Sequence, residues 1–240
     1  MKRSLTWAFA VVVALPWSSA RADDPKAVID RAIRALGGRE RLEKVHTAEV
    51  KTKGTIHLGG AANPMHGQAT TQGLDHYRLQ FGVEVGGNQV EGVTVINGNK
   101  GWQKINGEVT PLDDRVLQGE KRLLYLQLAV GNPTVLTGPG FKLIRADKGA
   151  VTAAGPDGKE FTIHYDPQTG LPAKLVATVV GIGGNEMKQE TTYSDFKDFG
   201  GVRKATKAVI KRDGEPFLEQ ELVEFKVLEK VDPKTFDEPK

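Results

Sequence analysis

No cysteine occurs among the 240 residues. Disulfide staples, thiolate catalysis, cysteine-based zinc sites and a lipid-bearing N-terminal cysteine are all excluded at once. Serine is nearly as scarce, at positions 4, 18, 19 and 194 only. Ser194 lies in "TTYSDF", without the strand-to-helix elbow that exposes a nucleophilic serine, and reads as an exposed strand hydroxyl. The histidines, His46, His57, His66, His76 and His164, show neither H-E-x-x-H nor i, i+4 pairing. His57, His66 and His76 converge only if their strands are neighbours, and no metal site is expected. No apolar run reaches the ~18 residues that a membrane-spanning helix takes.

A surplus of charge is missing too, once the first residues are set aside. Lys2 and Arg3 precede an apolar run, Leu5 to Leu15, and Ala20-Arg21-Ala22 follows as a small-x-small site. That order is a secretory signal peptide, cut after Ala22. Its removal leaves 218 residues, 23–240, and takes away three of the 33 basic residues and no acidic one, so 30 basic face 30 acidic. Nucleic-acid binding, which draws on a basic excess, is not expected. The expectation is an exported protein of one domain, residues 23–240, that is not an integral membrane protein.

What is present is glycine, 28 residues of it, placed at turns. Asp24-Pro25 caps a helix carrying Val28, Ile29, Ala32, Ile33 and Leu36 at helical spacing, and Gly37-Gly38 stops it. A short helical turn, Arg39 to Lys44, follows. From His46 the period changes to two: Tyr77, Leu79, Phe81, Val83 and Val85 alternate with Arg78, Gln80, Gly82 and Glu84. Gly86-Gly87-Asn88, Asn97-Gly98, Asn106-Gly107, Pro156-Asp157-Gly158, Gly183-Gly184-Asn185 and Asp213-Gly214 divide the rest into antiparallel hairpins. Ten to thirteen strands fit, too many for one flat sheet. Asp113 to Val130 breaks the meander with Val116, Leu117, Leu123, Leu124 and Leu128 at helical spacing, behind an Asp113-Asp114 cap and before Gly131-Asn132-Pro133. The class is α+β with a strongly curved antiparallel sheet.

Motifs of chemistry dissolve on inspection. "VVGIGGNEMKQE" has Gly181-x-Gly183 but Glu186 where the third glycine of a dinucleotide loop belongs, and a strand pattern where a helix should open. Asp195 and Asp198 flank a turn, and their spacing alone makes no glycosidase pair. No cofactor is expected, and an enzyme is disfavoured. In "LVATVVGI" apolar residues occupy both strand faces, which calls for a cover on the second face or for a cavity.

Four stretches occur in order: "ALGGRERLEKVHTAEVKTKGTI" (35–56), "YDPQTGLPAKLV" (165–176), "YSDFKDFGGVRKATKAVI" (193–210) and "VDPKTFDEP" (231–239). Together the set resembles the exported family related to the bacterial outer-membrane lipoprotein carriers LolA and LolB, over most of residues 23–240. The resemblance implies an unclosed barrel with helices covering its concave side, a periplasmic location and a hydrophobic cavity for acyl chains. Ala205 stands where relatives commonly carry proline, and no position matches the carriers' functional arginine. Two readings follow. One is a carrier for a lipid, lipoprotein acyl chains or another hydrophobic small molecule. The other is an envelope sensor or interaction module of the same fold that binds an envelope protein. For the first, Tyr77, Leu79, Phe81, Trp102, Leu124 and Leu128 are the expected lining. Trp102 is included because its strand, between two Asn-Gly turns, leads almost at once into the leucine-rich helix.

Overall fold

A computed structural model describes residues 23–181 and 183–240; the signal peptide expected over residues 1–22 lies outside them. Helix α1 (Pro25–Ala35) begins where Asp24 accepts a hydrogen bond from the Lys26 N–H at 3.0 Å, with proline at its first position. It buries Ile29, Ala32 and Ile33, and a short α2 (Arg39–Glu43) buries Leu42.

Six strands then run as a meander: β1 (Thr47–Leu58), β2 (Ala61–Gln72), β3 (His76–Val85), β4 (Asn88–Asn97), β5 (Lys100–Ile105) and β6 (Glu108–Pro111). Helix α3 (Asp114–Gly131) interrupts, capped by the Asp113 carboxylate on the Val116 N–H at 2.9 Å. A 3₁₀ turn (Pro133–Thr137) leads into a second meander. It comprises β7 (Lys142–Asp147), β8 (Ala150–Ala154), β9 (Glu160–Tyr165), β10 (Pro172–Val180), β11 (Glu186–Phe199), β12 (Val202–Arg212) and β13 (Glu215–Val227). A last 3₁₀ turn, Pro233–Phe236, ends the chain's regular structure.

All thirteen strands form one sheet of order β6-β5-β4-β3-β2-β1-β13-β12-β11-β10-β9-β8-β7. The two meanders are joined at a single seam, β1 against β13, where Ala48 faces Val227 and Ile56 faces Leu218. Bulges bend the strands: the register slips between Lys51 and Thr52 in the seam, and again in β7, β10 and β12. The edges β6 and β7 do not pair, so the barrel stays open. Helix α3 connects those two edges, and at 1.5 Å per residue its 18 residues span about 27 Å. It lies on the concave side as a strap.

The strap divides the interior. Tyr125, Leu126, Ala129 and Val130 pack with α1 and the inner faces of β8–β10, including Val151, Phe161, Ile163, Leu175, Ala177 and Val179. Leu117 and Leu124 pack instead with Tyr77 and Ile96 of the first meander. In β10 the second face is held more loosely, with Val176 half-buried and Thr178 exposed. Val180, at the strand's end, meets Gly119 of α3. Among the described residues no second layer covers the rest of that face.

Candidate functional site

Helices touch the flanks of the sheet, α3 against β10 and β4 and α1 against β7 and β8. Among the described residues no helix makes extended contact with the middle strands. There an open cavity of about 350 Å³ lies, floored by Ala48, Val50 and Thr52 of β1, Leu222 and Phe225 of β13, and Lys204, Thr206 and Ala208 of β12. Its volume is in the range of small-molecule sites, and its walls are mostly apolar. Leu124, Leu128 and Gly131 of α3 form one wall; Leu36, Val45, Leu74 and Val135 form the others.

The wall beside α1 is built where three of the four quoted stretches meet. Gly37 approaches Gly201 so closely that a Cβ on Gly37 would stand 2.1 Å from the Gly201 carbonyl oxygen, and its φ of 126° suits only glycine. The Arg203 N–H donates to the Leu36 carbonyl at 2.9 Å, and the Gly201 N–H donates to the Asp198 carboxylate at 2.9 Å. From the other side the Asp166 carboxylate accepts from the Thr169 N–H at 2.7 Å and the Thr169 hydroxyl at 2.8 Å. Those bonds hold its pKa below the ordinary carboxylate value. The turn so shaped offers the Gln168 carbonyl to Arg31 of α1 at 3.1 Å. At the far end of α3, the buried Asn132 amide donates to the Leu42 carbonyl of α2 at 2.9 Å.

Of the six residues expected at the lining, Leu124 and Leu128 are there. Tyr77 and Leu79 belong to the neighbouring cluster that Leu124 and Leu128 share with the first meander. Burial raises the Tyr77 phenol's pKa. Phe81 is on the inner face as well, but further out: its ring covers Gly92, where a Cβ would stand 2.2 Å from the ring. Trp102 is on the opposite face. It pairs with Val95, whose neighbour Ile96 points inward with Tyr77, so strand alternation turns Trp102 outward. Nearness along the chain to α3 does not bring Trp102 inside, because the residue before it, Gly101, is the one beneath Leu117.

The outer face beside Trp102 is occupied by the C-terminal segment. Asn97 donates to the Phe236 carbonyl at 3.1 Å, and the His76 ring lies 5.3 Å from that of Phe236. Lys104 donates to the Lys240 carbonyl, and Val95 is fully buried. His76 is thereby a packing residue. Among the described residues no group of three or more His, Cys, Asp or Glu is placed to hold a metal, and no helix is long and apolar enough to cross a membrane.

None of the floor residues was singled out in the sequence, and among them Lys204 stands apart in chemistry. The Lys204 ammonium donates to the Gly131 carbonyl at 2.8 Å and lies 4.8 Å from the centre of the Phe225 ring. Burial lowers its pKa to about 8. Its signal was there: Val202, Thr206 and Ala208 share the inner face of β12 with it, and a lysine is out of place in that alternation.

The chain matches no protein-family model and none of the curated proteins. Among solved structures it is similar to a LolA superfamily protein of Nitrosomonas europaea, at TM-score 0.57 and 12% identity over 90% of this chain and 98% of the other. An outer membrane lipoprotein-sorting protein domain of Vibrio parahaemolyticus follows at 0.54 and 9%, over 89% and 97%. A DUF1329 family protein of Desulfovibrio piger gives 0.52 and 11%, over 90% and 98%. The thirteen-stranded open sheet with its concave-side helices is the LolA-like fold.

Proposed function

We propose that this protein is an exported, non-enzymatic carrier that holds the acyl chain of a lipid or lipoprotein in the cavity under α3. The observation that supports it most is the cavity's position. Among the described residues no helix makes extended contact with the middle strands, and the gap is lined by Val50, Leu74, Leu124, Leu128, Leu222 and Phe225. Transfer of one CH₂ from water into such a lining contributes about 0.8 kcal/mol, so a chain of moderate length binds without any charged contact. The solved structures of the same fold include a lipoprotein-sorting domain, which agrees with this use.

Protein purified after export and analysed by native mass spectrometry should carry a lipid that organic extraction removes. Delipidated protein should then bind a fluorescent acyl probe saturably, and Leu128→Asn should weaken that binding by at least roughly tenfold, since one to two buried methylenes are lost and an unpaired amide is added. Failure of delipidated, folded protein to bind any long-chain probe would reject the carrier. A protein co-purifying in place of lipid would favour the interaction module.

A further inference from the structure

Two cations on the cavity border have no carboxylate within ion-pair distance among the described residues: Arg203, which is exposed to solvent, and Lys204, which is not. Six charged or titratable side chains border the cavity: Glu43, His46, Tyr193, Arg203, Lys204 and Lys207. Glu43 is paired with Arg39 at 3.5 Å and Lys207 with Asp195 at 2.7 Å, both at the surface. Lys204 has no carboxylate within ion-pair distance among the described residues, and its ammonium uses one of three N–H groups, on Gly131. Sequestered ammonium groups are paired as a rule, because desolvation without a partner is costly. The Gly131 carbonyl at the C-terminus of α3 and the Phe225 face both favour a cation here, but neither supplies a full negative charge.

We propose that the ligand of the cavity is an anionic amphiphile and that Lys204 binds its oxyanion head, carboxylate or phosphate, while the chain lies along Val50, Leu124, Leu128 and Leu222. This rests on the acyl-binding reading and narrows it to a ligand class. The two free N–H groups point the recognition at a single oxyanion; the Phe225 face orients the amine, and Gly131 fixes its third proton. Below pH 8 the amine is charged and awaits the partner that the fold does not supply.

The test uses the full exported chain, delipidated, with dodecanoate, dodecyl phosphate and dodecanol as competitors for one neutral fluorescent acyl probe at pH 7. Either or both of the anions should bind about tenfold more tightly than the alcohol, the worth of a charge-assisted hydrogen bond in a dry site. The tighter of the two identifies the head. Lys204→Met should bring all three to within about twofold, and Lys204→Arg should keep the preference. Lys53→Met, on the outer face in an ion pair with Glu221, should change nothing. Equal affinity of alcohol and anions in the unaltered protein would overturn the head-group assignment and leave the acyl-binding reading standing. No displacement by any of the three would overturn both. Because the comparison in the unaltered protein decides by itself, a misfolded variant does not blunt it.

Discussion

At the scale of single residues, the side a residue faces matters more than its distance along the chain. Trp102 is the only tryptophan in residues 23–240, and it lies outside, near the C-terminal segment. Its emission should stay constant to within about 2 nm when acyl ligand fills the cavity, while deletion of residues 231–240 should shift it to the red by exposing the indole. A saturable change in Trp102 emission on ligand binding, in the intact chain, would contradict the register described here. Tyr77, Leu79 and Phe81 were readable as one inner face because three alternating large apolar residues admit no other arrangement in a half-buried strand. Trp102 was not, since "GWQKI" offers Gly101 and Gln103 as the competing set, and a glycine under Leu117 looks like nothing in sequence. Lys204 was missed for a related reason: a lone lysine between arginine and alanine resembles a solvated strand end until its strand is seen to floor a cavity.

At the scale of elements, α3 depends on a polar anchor. Arg122 is 3% exposed and aims into the sheet, where its guanidinium meets the Asp157 carboxylate at 2.8 Å and the Glu160 carbonyl at 3.0 Å. The Tyr125 hydroxyl, its pKa raised by burial and by the Asp157 carboxylate that accepts its proton at 2.7 Å, completes the set. Arg122 and Tyr125 are three apart and so share one face of the helix. The Pro156-Asp157-Gly158 turn was legible as a turn, and α3 as a helix. Their contact was not, because no local pattern distinguishes an inward arginine from a solvated one. Asp157→Ala leaves the Arg122 charge buried without its partner and should destabilise the fold by roughly 3 kcal/mol, read as a lower urea midpoint with unchanged slope. A loss below about 0.5 kcal/mol would mean that the pair is no more than a surface bridge.

At the scale of the molecule, hairpin punctuation foretold the two meanders and the class, but not which strands would lie side by side at the centre. Every neighbour relation in the sheet is sequential except one, β1 with β13. That seam joins Ala48 to Val227, close to opposite ends of residues 23–240, and the same two strands give the cavity much of its floor. Two locally paired halves can assemble quickly from hairpins; the closure between them is the non-local step that sets the pace. The cavity therefore does not exist in either half and should form only with the last stage of folding. In stopped-flow refolding with an acyl probe present, far-ultraviolet ellipticity should recover first and probe fluorescence only with the slowest phase. Probe binding in the early phase would place the site within one meander. On the proposed carrier reading this timing has a practical side: cargo is not captured by a partly folded intermediate, so loading itself reports that folding is complete.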